Sequence, residues 1–432
     1  MQSLKDKKLL ILAGASVHSK VVRAAKELGI YTIVADYLQP ENSPAKLIAD
    51  DYLMNNIFDI DELVQFIKDN HVDGVLAFCI DPAQRPAQQI AEKACLPSFG
   101  TRNQVMALTD KNIFKSLCVE TGVDIIPTYL ENDIDAETIQ YPVLVKPVDS
   151  RGSRGAVECK SKDELLKAIP EARKYSSDGG CIIEKYMTPD VNQDLTISYL
   201  VKDGEPILVS IGDRHSGRKE DNLDRQLVCT IQPSRFANEY MAHADERIKK
   251  LIRHIGIKNG PVFFQGYWDG TTIRLYDPGL RYPGNEYEQI LERATGVNLM
   301  KDIIPFCVGN EISGFDQARG CYNLNGTTCM QYMVNVGPGT IGVFEGLDII
   351  SKHPNIVDVT QKHFIGDVIE PTGDIRHRAG EISVLCDRNY AEMKAMIEFI
   401  QKNLVILDTE GHNQIISPFD CSILDKWYRS SY

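Results

Sequence analysis

No stretch of these 432 residues approaches the run of about twenty apolar residues that a membrane-crossing helix needs. Excess positive charge is missing too. Against 47 lysines and arginines stand 60 acidic residues, a net charge of −13, which argues against a general grip on nucleic acid or an anionic membrane. Any phosphate would have to be held by a local site. The eleven cysteines contain no C-x-x-C pair, so neither a disulfide framework nor a zinc site is expected, and a reducing, cytoplasmic setting is. The apolar run Leu9–Ala13 is too short for a secretory segment, and no targeting signal is expected. There is no G-x-x-x-x-G-K-[ST] string, which excludes a P-loop, and no internal repeat or low-complexity linker.

What is present begins as alternating strand and helix. "KLLILAGAS", "YTIVADY" and "DGVLAFCID" read as buried strands. Between the first two, Val21, Val22, Ala25 and Leu28 share one helical face that stops at Gly29. Asp59 and Glu62 are placed for a capping box before a second helix. This pattern predicts a parallel sheet with helices on both faces. Gly14 and Asp36 make up a third of a dinucleotide fingerprint, and a turn that simply needs a glycine explains them as well.

From about residue 100 the pattern becomes mixed. A helix is expected from Thr109 to about Gly122, another after "SKDE" (161–164), and a long amphipathic one near 236–257. Two antiparallel hairpins turn at Asp203-Gly204 and at Asp269-Gly270. Short strands and a helix from Tyr390 to Asn403 close the chain. The fold class expected is therefore α/β followed by α+β.

The most specific stretch is "VLVKPVDSRGSRGA", residues 143–156. A buried strand ends on Lys146, and Arg151, Gly152, Arg154 and Gly155 follow. A basic hairpin fits this composition, and so does a cover for an anion in which the glycines let the backbone close and present N–H groups. Lys111, in the first turn of its helix, is a second candidate cation. Gln265 and Asp277 lie on the two strands of the second hairpin. A three-residue loop would place them diagonally on one face, close enough to share a hard cation; a two- or four-residue loop would separate them. Arg281 follows shortly after.

With these stretches in view, the chain resembles the ATP-grasp superfamily of carboxylate–amine ligases over its length, most nearly the branch of L-amino-acid ligases and carbamoyl-phosphate-synthase-like proteins. The similarity rests on the opening "ILAGASVHSKVVRAAKELGIYTIVADY", on "LTDKNIFKSLCVETGVDIIPTY", on the lysine-ended strand with its glycine-rich stretch, on "IIEKYM", and on "PGTIGVFEG…HFIGDVI…HRAGEI". The resemblance implies three regions: a Rossmann-like pre-ATP-grasp domain over 1–100, an ATP-grasp domain over 101–308 with a lid at about 123–200, and an α+β C-terminal domain over 309–432.

It also implies roles. Lys111 and Lys146 would contact ATP phosphates beneath a lid of Ser153, Arg154 and Gly155. Glu184, Lys185 and the segment to Met187 would hold adenine. Asp194, with Asp190 in reserve, would take the ribose. Gln265 and Asp277 would bind Mg2+, and Arg281, with Lys146, would face the transferred phosphoryl group. Arg214, His215 and Arg218, in "GDRHSGRKEDNLDR" with Arg225, fall where relatives bind substrate; His215 reads as a solvent-exposed loop histidine ahead of a base near the amine. Arg378 in "HRAGEI" is open between the cleft and the surface.

One departure stands out. Where the family has "E-x-N-P-R", this chain has "YDPGLR", with Asp277 for the glutamate and Gly279 for the asparagine. Water, Asn285, Glu286 or Glu288 are the candidates to replace the lost donor. The activity the resemblance implies is ATP-dependent ligation of a small-molecule carboxylate to an amine, with an amino acid as one substrate, through an acyl phosphate. The alternatives are a nucleotide-binding protein without turnover and another ATP-grasp chemistry that uses bicarbonate. No nucleic acid or membrane partner is expected, and a homodimer stays open.

Overall fold

The computed structural model describes residues 3–135, 138–148, 155–176, 179–187, 193–217, 226–284, 287–372, 375–387, 389–416 and 418–428. The first region is a parallel sheet in the order Asp51–Leu53, Tyr31–Ala35, Lys8–Leu12, Gly74–Leu76. Asp51–Leu53 was not expected. It is a short edge strand with an exposed Tyr52 and so has no apolar run to betray it. The helix Ser16–Glu27 ends before Gly29, whose φ of +80° lets the chain turn back. The expected capping box does not form: Asp59 accepts from the Asn56 amide at 2.7 Å and Glu62 from Asn55 Nδ2 at 2.7 Å.

Gly14 has a local reason to be glycine. A Cβ there would lie 1.8 Å from Ser43 Oγ, and the Gly14 amide donates to Asp36 Oδ2 at 2.7 Å while Leu38 N donates to Oδ1 at 2.8 Å. Both oxygens of Asp36 thus hold the turn itself rather than a ribose.

A small antiparallel sheet follows, ordered Thr128–Tyr129, Cys181–Lys185, Val143–Pro147, Val157–Cys159. Its apolar face, with Val143, Val145 and Ile183, packs on the helix Lys162–Lys174. Ser161 caps that helix as expected, accepting from Glu164 N at 3.3 Å.

The remaining framework is a nine-stranded antiparallel sheet. Its path runs Ile273–Gly279, Gly260–Trp268, Gln193–Lys202, Glu205–Ser216, Leu227–Gln232, Thr327–Val336, Arg378–Asp387, Ile356–Gln361, with Ile415–Ile416 beside Thr327–Val336. Both hairpins are where the turn residues put them; Asp203 and Gly204 have φ of 51° and 82°, the left-handed pair a tight hairpin needs. The single helix expected near 236–257 is two, Ala237–His243 and Asp245–Ile255, meeting at Ala244. The helix Tyr390–Asn403 covers one face of the last strands through Met393, Ile397 and Ile400. The α/β opening and α+β remainder are as expected. No helix among the described residues is long and apolar enough to cross a membrane.

Candidate active site

The strand Val143–Pro147 buries Val143 and Val145 and turns Lys146 to its other face. On the neighbouring strand that face carries Glu184, only 1% exposed. Its Oε2 receives Lys146 Nζ at 2.6 Å, and its Oε1 receives Lys115 Nζ. Lys115 also donates to Thr128 Oγ1 at 2.7 Å. Burial alone would push the Glu184 carboxyl up, but Lys146 and Lys115 outweigh it and hold the group below the usual range. One buried carboxylate therefore positions two ammonium groups. Sequence reasoning missed Lys115, although it stands four residues after Lys111 on the same helical face. It also gave Glu184 to adenine, whereas the carboxylate is committed to the lysines. The Lys185 amide donates to Pro127 O at 2.9 Å, and Met187 is buried just beyond.

The second hairpin resolves its register by a device the loop length does not reveal. Trp268 pairs with Ile273 across a four-residue loop, which by itself would send Gln265 and Asp277 to opposite faces. A β-bulge between Gln265 and Gly266 inserts Tyr276 as an extra residue, and Gln265 then pairs directly with Asp277. Neither side chain hydrogen-bonds to another described residue. Burial pushes the Asp277 carboxyl up, and the charges bearing on it are Lys111, then Asp81 in opposition, then Arg281 and Lys146. Four predicted residues, Lys111, Lys146, Gln265 and Asp277, thus converge with Arg281.

Arg281 is 7% exposed. Its guanidinium donates to Asp81 Oδ1 at 2.6 Å and to Tyr282 O at 2.7 Å, and stacks 4.3 Å over the Phe263 ring. The glycine that replaces the family's asparagine has a counterpart here: a Cβ on Gly279 would lie 2.2 Å from Phe263 Cε1. The phenyl ring occupies the space. A cleft with two lysines, an arginine and a facing amide–carboxylate pair suits a polyanion accompanied by a hard cation.

Residues 139–267 match the family model described as an ATP-grasp domain. This chain contains an ATP-grasp domain. By sequence it is similar to formate-dependent phosphoribosylglycinamide formyltransferase of Prochlorococcus marinus, 26% identical over 265 residues that take in 58% of this chain and 64% of that one. The match thus spans just under two thirds of the relative's length. Carbamoyl phosphate synthase large chain of Clostridium beijerinckii is 27% identical over 56% of this chain but only 23% of its own. The fold is shared with L-amino acid ligase from Bacillus licheniformis, with TM-score 0.78 and 21% identity over 94% of this chain and 99% of that one. The biotin carboxylase domain of Hydrogenobacter thermophilus 2-oxoglutarate carboxylase, solved with MgADP and bicarbonate, gives TM-score 0.75 and 19% identity over 99% of this chain and 95% of that one.

Beside the lysine pair lies a second, half-buried cluster. Asp194 accepts from Tyr276 OH at 2.9 Å and from Arg214 Nη1 at 3.0 Å, and Arg214 Nη1 also donates to the Tyr276 hydroxyl at 2.6 Å. Burial raises the Asp194 carboxyl, against Arg214 and Tyr276. Lys146 Nζ lies 5.8 Å from the centre of the Tyr276 ring, so the bulge residue links this cluster to the lysine pair. Asp194 and Arg214, expected at ribose and substrate, here hold each other.

His215 is neither exposed nor in a loop, contrary to that reading. It sits in the strand Glu205–Ser216, 6% exposed, with Nε2 3.0 Å from Tyr428 OH, which donates to Asp213 at 2.6 Å. Burial, reinforced by Arg235, pushes its pKa down to about 3. Arg378 is buried as well, its Nη1 on Glu381 at 2.8 Å. Gly155 has φ of +76°. Ser153, Arg154 and Arg218, with Arg151, Gly152, Asp190, Arg225, Asn285 and Glu286, lie outside the described residues. Among the described residues no three His, Cys, Asp or Glu side chains gather as a metal cluster.

Proposed function

We propose that this protein is an ATP- and Mg2+-dependent ligase that joins a small-molecule carboxylate to an amine, with an amino acid as one substrate, in the cytoplasm. The observation that carries this reading is the bulge-set pairing of Gln265 with Asp277 opposite Lys111, Lys146 and Arg281. Two oxygen donors without hydrogen-bond partners among the described residues fit a hard cation that takes its remaining ligands from phosphate and water. When bound, Mg2+ would neutralise charge on the phosphate oxygens. The ATP-grasp fold and its relatives support the nucleotide. The likeness to L-amino acid ligase supports the amino acid.

In this reading a carboxylate oxygen of the substrate attacks the γ-phosphorus and ADP leaves. The amine then attacks the acyl carbon, phosphate departs with the electron pair of the broken C–O bond, and the amine's proton is lost to solvent or phosphate. This chain contributes position and charge: Lys146 and Lys111 on the phosphates, Arg281 on the transferring group, and Glu184 and Lys115 keeping Lys146 in place. We assign the nucleotide site to 101–308, its cover to about 123–200 and the C-terminal region to 309–432.

The test is ADP release over pairs of amino acids. Lys146→Ala should lower turnover about a hundred- to a thousand-fold in a protein that stays folded; unchanged turnover would remove Lys146 from this role. Gly279 favours a second reading, nucleotide binding without turnover. That reading predicts MgATP binding with no ADP release from any acid–amine pair.

A further inference from the structure

Directly paired residues of an antiparallel ladder point to the same face. Gln265 pairs with Thr196, and Thr196 with Gly212. Two positions on, Arg214 pairs with Thr230, so Thr230 and Gln232 share that face. Thr230 pairs with Gln331 and Gln331 with Ser383, which carries the same face to Glu381 and its partner Arg378. The side that presents Gln265 and Asp277 therefore continues as a polar strip into the C-terminal strands.

This strip is buried yet unsatisfied. Thr196, Thr230, Gln232, Arg378 and Glu381 are 3%, 0%, 3%, 9% and 5% exposed. In each, one polar atom meets no hydrogen-bond partner among the described residues: Thr196 Oγ1, Thr230 Oγ1, Gln232 Nε2, Arg378 Nε and Glu381 Oε2. Folded chains rarely bury so many unmet groups side by side without something to meet them. The Gln232 amide is oriented by Ser210, whose hydroxyl donates to Oε1 at 3.2 Å, while the buried NH2 group has no hydrogen-bond partner among the described residues. Gly212 makes the grouping possible. A Cβ there would lie 2.6 Å from Gln232 Cγ and 2.9 Å from Thr230 Cγ2, so only glycine lets both side chains close toward Thr196.

We propose that this strip seats the non-reacting part of the substrate, and that this part is a small group bearing both hydrogen-bond donors and acceptors, such as an amide or hydroxyl, rather than an aliphatic or aromatic one. The inference rests on the ligase reading and adds the chemistry of the substrate to it. Thr196 stands one strand away from Asp277's partner Gln265, so a molecule lying on the strip has one end within reach of the transferring phosphate. Thr196, Thr230 and Gln232 offer uncharged contacts near the reacting end, and Arg378 and Glu381 offer a donor and an acceptor at the far end. A hydrocarbon side chain would leave all of them unmet.

The test uses the full chain saturated with MgADP, titrated with L-glutamine, L-serine, L-leucine and L-phenylalanine, which share an α-carboxylate and ammonium and differ in the side chain. Binding is read as the rise in melting temperature. Glutamine or serine should bind about tenfold or more tightly than leucine and phenylalanine. Thr230→Val and Gln232→Leu should each weaken that binding about fivefold or more with MgADP affinity unchanged. Gly212→Ala should act in the same direction. The proposal is overturned if leucine or phenylalanine binds as well as the polar pair. It is overturned equally if none of the four binds to protein that binds MgADP, or if Thr230→Val and Gln232→Leu leave binding intact. A chain that does not bind MgADP at all would overturn the ligase reading instead.

Discussion

Phe263 lies directly across the ladder from Gly279, and its ring fills the space that a side chain at 279 would need, 2.2 Å from the position of a Cβ. The same ring carries the Arg281 guanidinium on its face at 4.3 Å, an arrangement that steadies a buried cation. The ring that requires glycine at 279 is thus the ring that holds Arg281. A side chain placed at 279 should disturb both: Gly279→Asn is expected to destabilise the fold by about 1–3 kcal/mol through overpacking and to lower turnover. Urea midpoints with ADP-release rates check this; a stable variant with stronger Mg2+ dependence would contradict it.

Asp277 faces the cleft because Tyr276 is bulged. Asp277→Asn keeps the shape and removes the charge. The Mg2+ concentration for half-maximal turnover should rise about tenfold or more, since ligand charge sets the affinity for a hard cation. An unchanged Mg2+ requirement would take Asp277 out of the metal site.

Glu184 stands between two lysines at 1% exposure. Glu184→Gln leaves both ammonium groups facing each other without an anion, a loss on the order of 3–5 kcal/mol. Lys115→Met should be milder, because Glu184 keeps Lys146. Chemical denaturation of the two variants gives the order, and the reverse order would show that Lys115, not Glu184, organises the pair.

His215 is held neutral, its pKa lowered by burial and Arg235 to about 3. An unfolded histidine takes up its proton near pH 6.5, so between these values the unfolded chain binds more protons than the folded one. Stability is then fully present above about pH 6.5 and falls as the pH drops toward 3, by on the order of 4 kcal/mol from this residue. His18, lowered to about 4 by burial, acts in the same direction. His215→Gln should flatten the acid side of the stability profile, measured as urea midpoint against pH. A profile identical to wild type would mean that His215 takes up its proton equally readily in the folded and unfolded chain, and would contradict this account.

The sequence made the strands, the two hairpins and the cations legible because each has a local signature: apolar runs, Asp-Gly turns, a lysine ending a buried strand. What it hid were relationships set by distant packing. The bulge at Tyr276 leaves no compositional trace, and the four-residue loop alone points to the wrong face for Asp277. His215 reads as polar loop because its partner, Tyr428, comes from the other end of the chain. Lys115 was in plain view on the face of Lys111, but its role depends on Glu184, which only the sheet pairing brings beneath it.

The most direct measurement is titration calorimetry of MgATP against wild type, Lys111→Ala, Lys146→Ala and Asp277→Asn, with Lys394→Ala, whose partner Asp425 lies in the C-terminal region, as control. The three cleft variants should each weaken binding about tenfold or more, and the control should match wild type. Wild-type affinity in all three cleft variants would contradict the single nucleotide site.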